Sequence, residues 1–430
     1  MNSMSKRFWP YLLMITFFPI FILASSTRIT AGNTLATSPV EEKDLLWFAQ
    51  VTDLHVGSKE YSITDHMIHF LFDLNEFVKP SFIVNTGDLV DGDYVALQPI
   101  LSQWELYNAS ICLVTEVIEC PYFDLPGNHD NLDNNNLSLF KQYSHLGRTQ
   151  GTIHASWMVE KGDYTAVFVG ISTADTIDGE KQYSFEGRIT EGELAFLKTE
   201  LEQTADVRIV FGHHSPVETD WGYDITDTPE KEEMLKLLEE SGTILYANGH
   251  LHKERIVQGD GILFITADNW EAFRLFVVDL KRGQTSSIEY NGDPITWPLI
   301  VPVFPINSNQ VVQPQEPYPT EIPVQVLVFS ASPVVSVTAD LGNGNIASFS
   351  KSGEFLWNLN TSEFTQLPND TIRIRAADDL GRFREIPLSV EHMNQSGTSE
   401  AGDSSLPIVV IPVSLLAYYI LRRRRNGSTN

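Results

Sequence analysis

The chain is expected to fold as a layered α/β domain followed by a small all-β domain and a C-terminal transmembrane helix. Three observations carry this expectation. From Leu45 to about Asp279, apolar strand-like runs alternate with amphipathic helical ones, the pattern of repeated strand–helix–strand units. From about Gly292 the composition turns to prolines and then to short β-rich runs separated by Asn, Asp and Gly. Near the end, Leu406–Leu421 is apolar but for Ser414 and stops at Arg422–Arg425.

At 430 residues the chain exceeds what one core usually supports, so two or more domains are expected. A formal net charge of −27 argues against a protein that grips nucleic-acid backbone, which needs Lys and Arg in excess. A phosphate-bearing substrate would therefore have to be attracted locally, by metal.

In chain order, residues 1–26 combine Lys6 and Arg7 with the apolar run Phe8–Ala24 and read as a signal peptide. Residues 27–44 are polar and unpatterned, as a linker would be. The α/β domain covers 45–291. Its strand-like segments include Trp47–Val51, Phe82–Val84, Tyr122–Leu125, Val207–Phe211 and Ile244–Ala247. Helical periodicity marks His66–Val78, Tyr94–Tyr107, Thr190–Glu202 and Glu230–Glu240. Gly261–Ile265 and Phe273–Leu280 read as antiparallel strands completing a second sheet. Residues 292–391 form a Pro-rich connection and a small β-sandwich, Ig-like but without a Cys pair, with strands expected at Gln325–Phe329, Val334–Ala339, Glu354–Asn358 and Thr371–Ala376.

Residues 392–405 suit a flexible stalk, 406–421 a membrane span, and 422–430 a basic cytoplasmic tail. The span reaches only about 24 Å at the α-helical rise, short for a hydrocarbon core of about 30 Å. With the signal peptide in front, these features imply a single-pass protein of the cell membrane whose body lies outside the cytoplasm. Cys112 and Cys120 could close a short loop as a disulfide or remain thiols, and sequons at Asn108, Asn136, Asn360, Asn369 and Asn394 permit glycosylation.

Five polar turns carry the chemistry. Asp53–Leu54–His55 is followed by Gly87–Asp88, Gly127–Asn128–His129–Asp130, Gly212–His213–His214 and Gly249–His250–Leu251–His252. Any one of them is commonly just a solvated strand end. Each of the five, however, closes an apolar strand-like run, and the sites of layered α/β proteins collect where strands end. An Asp and a His two residues apart on a strand face the same side, so both can reach one cation.

In this order the turns closely resemble the calcineurin-like metallophosphoesterases, whose pattern runs Asp-x-His, Gly-Asp, Gly-Asn-His-Asp/Glu, a lone His near a Pro, and Gly-His-x-His. The resemblance spans roughly Leu45–Asp279. It implies a two-sheet α/β/β/α sandwich with metals in loops at one edge. It also implies hydrolysis of a phosphate mono- or diester by a dinuclear metal centre and a metal-activated hydroxide. The carry-over assigns Asp53, His55 and His252 to one metal, Asn128, His213 and His250 to the other, and Asp88 to the bridge, with His214 as the alternative to His213. Mixed nitrogen and oxygen ligation suits Mn, Fe or Zn. His129 would not be a ligand but would stabilise or protonate the leaving oxygen, and Asp130 would orient His129. The glycines before Asp88, Asn128, His213 and His250 are expected to supply positive φ for tight turns.

Two other readings stand beside this one. A membrane-tethered binding or adhesion protein could use the same fold as an inactive scaffold, though none of the eight expected polar residues is missing. A nucleotidase-like enzyme would share the metal core, but its long C-terminal substrate domain is not evident. More loosely, the domain order is similar to that of eukaryotic transmembrane proteins in which a calcineurin-like domain precedes an Ig-like one. A segment that could set specificity, Glu218–Thr228, follows no readable pattern, and the partner of the Ig-like region is equally unread.

Overall fold

The computed structural model describes residues 39–58, 63–92, 99–131, 137–174, 185–218, 224–269, 271–292, 294–312, 324–342, 344–359 and 371–389. The expected signal peptide, stalk, membrane span and basic tail lie outside these residues. Among the described residues no helix is long and apolar enough to cross a membrane.

The first half runs β1 (Leu45–Val51), α1 (Ile63–Asp73), β2 (Ile83–Asn85), α2 (Ile100–Thr115), β3 (Tyr122–Asp124), α3 (Ser138–Tyr143), α4 (His145–Gln150), β4 (Ala155–Lys161), β5 (Tyr164–Gly170), α5 (Glu191–Leu201), β6 (Val207–Phe211), α6 (Pro229–Ser241), β7 (Leu245–Asn248), β8 (Arg255–Gly259), β9 (Ile262–Thr266), β10 (Ala272–Asp279) and β11 (Gln284–Asn291). These strands make two sheets, ordered β11-β10-β1-β2-β3 and β4-β5-β6-β7-β9-β8. β1, β2 and β3 run parallel, as do β5, β6, β7 and β9, while antiparallel strands close the edges.

Period-two alternation explains the layering. On β5, Ala166 and Phe168 face the first sheet, whereas Val167 and Val169 face the cluster that includes Leu194, Leu197, Met234 and Leu238 of α5 and α6. Between the sheets the contacts are aromatic: Phe48 and Phe82, stacked at 4.8 Å within the first sheet, both meet Phe168 of the second edge-on, at 5.8 and 4.6 Å. Helices α5 and α6 start at Thr190 and Thr228, whose hydroxyls accept the N–H of Glu193 and Lys231.

Two expectations are corrected in this half. Helix α2 begins after Pro99 and runs eight residues beyond Tyr107, because Trp104, Tyr107, Ile111 and Val114 continue one buried face. Cys112 therefore lies on this helix and Cys120 beyond its end, and both are free thiols. The two late strands also part company. β9 joins the second sheet beside β7, but β10 pairs antiparallel with β1, from Leu45↔Asp279 to Gln50↔Arg274, and so belongs to the first. Both strands are almost fully buried, so their apolar pattern carries no mark of which sheet they join.

The second half is all β: β12 (Leu299–Phe304), β13 (Val324–Phe329), β14 (Val334–Asp340), β15 (Ile346–Ser348), β16 (Ser350–Lys351), β17 (Leu356–Leu359), β18 (Thr371–Asp378) and β19 (Phe383–Ser389). They form two four-stranded sheets, β12-β13-β17-β16 and β15-β14-β18-β19. Strand β12 falls in the stretch expected to be a Pro-rich connection. It is an edge strand, where Pro302 lacks an N–H at little cost.

The first of these sheets is buried on both faces. Val324, Val326 and Val328 point into the sandwich, while Leu327, Phe329 and Leu356 join the core of the α/β half. Trp47 of β1 meets Phe329 and Phe355 at 5.9 and 5.8 Å between ring centres. Residues 39–44, the end of the expected linker, are part of this junction. Val40 is buried and exchanges two hydrogen bonds with the Gln325 side chain. The Glu42 carboxylate accepts the N–H groups of Glu354, Phe355 and Leu356 at 3.2, 2.9 and 2.8 Å.

Removing the Glu42 acceptor leaves three backbone donors short of a partner. Glu42→Ala should lower stability by ~1–3 kcal/mol. The midpoint of urea unfolding checks this, and an unchanged midpoint would show that the carboxylate contributes nothing to the junction.

Candidate metal centre

All five turns gather at the C-terminal ends of parallel strands, Asp53 and His55 after β1, Asp88 after β2, Asn128 to Asp130 after β3, His213 and His214 after β6, and His250 and His252 after β7. Strand pairing continues into the turns and fixes their spacing. The N–H groups of Asp53 and His55 donate to the carbonyls of Gly87 and Asp88 at 2.9 and 3.0 Å, and Gly249 N–H donates to the His213 carbonyl at 3.1 Å.

Backbone conformation singles out the same residues. Asp53, His55, Asp88, His250 and His252 have φ of 52°, 46°, 54°, 77° and 49°, which makes them five of the eight non-glycine residues with positive φ among those described. This left-handed region costs an L-residue of order 1–3 kcal/mol and persists where neighbours over-determine it, typically at functional sites. The expected role of the glycines is corrected accordingly. Of the four, only Gly87 has positive φ, at 115°. Gly127 and Gly249 are instead required for close approach: a Cβ would lie 2.1 Å from Asp88 Oδ1 at the first and 1.9 Å from Thr52 Oγ1 at the second.

The side chains converge in two groups that share Asp88. His252 Nε2 lies 3.3 Å and His55 Nε2 3.9 Å from Asp53 Oδ1, and the two imidazole nitrogens face each other at 3.1 Å. His213 Nε2 lies 3.1 Å from Asn128 Oδ1 and 3.2 Å from Asp88 Oδ2. Asp88 Oδ2 is also 3.7 Å from His55 Nε2 and 4.0 Å from His129 Nε2. The His250 ring stands 5.1 Å from that of His213, and the backbone N–H of His250 donates to both Asp53 oxygens.

Electrostatics show what this cluster demands. Asp53 and Asp88 are essentially fully buried, and the ion pairs found for them among the described residues are with histidines, not Lys or Arg. Burial alone would raise both carboxyls, but the surrounding imidazoles hold them well below the usual carboxylate range. Burial would likewise lower His213 and His252, yet Asp88 raises the first to about 9 and Asp53 the second to about 8. Away from the carboxylates burial wins, and with repulsion from His213 it pushes His250 down to about 4. Two buried carboxylates thus call for positive charge, which cations would supply directly. The donor set of carboxylate oxygens, one amide oxygen and imidazole nitrogens fits Mn, Fe or Zn.

Two residues act differently from expectation. The Asp130 carboxylate is engaged by backbone donors. It accepts the N–H groups of Leu89, Val90 and Gly127 at 2.8–3.1 Å, clamping the Asp88 turn to the Asn128 turn. A short buried acid three residues after a glycine meets these backbone donors first. His129 is oriented by Asp91, whose carbonyl lies 2.7 Å from Nδ1, while Asp91 Oδ1 lies 3.4 Å from His55 Nδ1. Asp91 was not singled out in the sequence, although its place three residues after Asp88 in the same turn was a usable signal. Thr173, which contacts both His213 and His214, had none.

Residues 46–254 match the profile of the calcineurin-like phosphoesterase family. This segment is similar to a calcineurin-like phosphoesterase domain. The chain is similar to mouse transmembrane protein 62, 21% identical over 369 residues, which is 80% of this chain and 55% of that protein. An Arabidopsis thaliana protein described as a metallophosphoesterase is 25% identical over 217 residues, 45% of this chain and 29% of its own length. The chain thus spans about half of the first relative and less than a third of the second. Among solved structures, a dimetal phosphatase from Danio rerio superposes with a TM-score of 0.39 at 14% identity, covering 57% of this chain and 99% of its own. GAP50, the anchor in the inner membrane complex of Plasmodium, superposes at 0.42 and 17% identity, covering 58% and 85%.

Within residues 46–254, Gly249 is the point where a turn of the second sheet presses on a turn of the first. Gly249→Ala should leave the fold intact but push Thr52 and Asp53 aside, with metal uptake weakened about tenfold or more, as typical for disturbed outer contacts. Equilibrium dialysis against Mn²⁺, with circular dichroism as the fold control, checks this. Uptake equal to the parent would mean the close approach is not needed.

Proposed function

We propose that the chain is a metal-dependent phosphoesterase with a dinuclear centre, hydrolysing a phosphate mono- or diester. The observation that carries the reading is Asp88 Oδ2, a buried carboxylate oxygen within 4.0 Å of imidazole nitrogens from His55, His213 and His129. Asp53, His55 and His252 would hold one cation, Asn128, His213 and His250 the other, and Asp88 would bridge them. Such a pair supplies Lewis-acid polarisation of a phosphoryl group and a water of lowered pKa.

The protein's own part is orientation and proton movement. Asp91 Oδ1 stands 3.4 Å from His55 Nδ1, and the Asp53 carboxylate fixes the His250 turn by accepting its backbone N–H. A carbonyl can only accept, so His129 Nδ1 carries a proton toward Asp91 and Nε2 is the atom turned to the site. A proton on Nε2 is then the one available to a leaving oxygen. In a chain of net charge −27, attraction of an anionic ester has to be local, which is consistent with a cation-based site.

Membrane attachment is part of the same proposal. Leu406–Leu421 with its Arg cluster supports it, and the mouse relative is named as a transmembrane protein. In this reading the phosphoesterase domain faces away from the cytoplasm.

Two substitutions test the chemistry. Asp88→Asn should lower metal content and activity together, since a neutral amide is a poor bridge. Full activity with two metals bound would defeat the dinuclear reading. His129→Ala should keep its metals and lose ~10²–10⁴-fold in kcat, the usual share of a general acid. The loss should be smaller for nitrophenyl esters than for alkyl esters. Equal losses on both would leave only charge stabilisation at this position, and loss of a metal would make His129 a ligand.

A further inference from the structure

His214 follows the candidate ligand His213 and is fully buried, its ring centre 4.8 Å from that of His213 and 4.4 Å from that of His250. Gly187 closes another side of the ring, where a Cβ would lie only 2.4 Å from His214 Cγ. One ligand nitrogen from each of His213, His214 and His250 lies within 4.8 Å of the others, so distance alone admits a cation held by three imidazoles.

Proton placement argues otherwise. Thr173 Oγ1 accepts the backbone N–H of His213 at 3.2 Å and of His214 at 3.0 Å. A hydroxyl has two lone pairs and one proton. With both lone pairs engaged, the proton goes to His214 Nδ1, 2.8 Å away. Nδ1 is then an acceptor, and the neutral ring carries its hydrogen on Nε2, which has no hydrogen-bond partner among the described residues. A protonated nitrogen cannot bind a cation, and the other nitrogen is already occupied.

We propose that His214 is a positioning residue rather than a ligand, locked by Thr173 as the Nε2–H tautomer and wedged behind His213 and His250. The neutral ring fixes the place of both neighbours without competing for the cation and without a charge that would repel it. Thr173 serves twice, since the hydroxyl that sets the tautomer also holds the turn that carries His213. This rests on the phosphoesterase reading, because it takes His213 and His250 as ligands.

The test uses the full chain. In the metal-free protein, ¹⁵N-edited imidazole spectra should show His214 as Nε2–H, and Thr173→Val should abolish that preference. With Mn²⁺ in equilibrium dialysis, His214→Phe should still bind two ions at saturation, the weaker of them ~10–100-fold less tightly than in the parent. Thr173→Val should weaken the same ion and Thr173→Ser should restore it, which keeps the test informative if His214→Phe fails to fold. An Nδ1–H tautomer in the parent, loss of one ion at saturation, or unchanged affinity in both His214→Phe and Thr173→Val would each overturn the proposal. A parent chain that takes up no Mn²⁺ fails the phosphoesterase reading instead, and the tautomer measurement then decides the Thr173 lock by itself.

Discussion

The structure is organised around the burial of Asp53 and Asp88 with no lysine or arginine paired to them among the described residues. A carboxylate removed from water costs several kcal/mol unless charge and hydrogen bonds are returned to it. Here backbone N–H groups return part of the cost: His250 donates to Asp53 and His129 donates to Asp88. Imidazoles return the rest, and only while they carry protons or share a cation. The turns are therefore shaped to bring four histidines to two acids, and the left-handed backbone at five of these positions is the conformational cost of that convergence.

That constraint explains why both sheets are needed. Asp53, Asp88 and Asn128 come from the first sheet, and His213, His250 and His252 from the second, so neither sheet holds a complete set. The aromatic layer between them, Phe48 and Phe82 against Phe168 and Phe211, sets the distance at which the two groups of turns meet. Close contacts at Gly127 and Gly249 then remove the last slack. A site assembled across a packed interface in this way resists small displacements because the interior around it is dense.

How much of this was legible in the sequence follows from which interactions are local. The turns announced themselves because each is a run of chemistry-bearing residues at a strand end, and the structure brings all the singled-out side chains to one place. The helical faces of α1, α5 and α6 were legible by periodicity. What was hidden depends on partners distant in the chain. Strand β10 lies against β1 across more than two hundred residues, Asp130 spends its oxygens on backbone it cannot signal in advance, and Thr173 meets His213 and His214 from another loop. The glycines illustrate the limit well. Their position before each polar residue was visible, but whether it served φ or space was decided by Asp88 and Thr52 approaching from elsewhere.

The β-rich half shows the same limit on a larger scale. A composition shift near Gly292 suggested a boundary between independent units, yet the sheet β12-β13-β17-β16 buries Val324, Val326 and Val328 on one face and Leu327, Phe329 and Leu356 on the other. Only the first face is needed to close the sandwich. The second covers Trp47 on β1, the strand that leads into Asp53, six residues away from Trp47. Exposing that face would return large apolar side chains to water, at roughly 1.5–3 kcal/mol for each one fully uncovered. The covalent boundary is therefore not a physical one. The strand that presents Asp53 and His55 is held from one side by the second sheet and from its far end by the β-rich half, so that half is part of the scaffold of the site and not only an appendage to it.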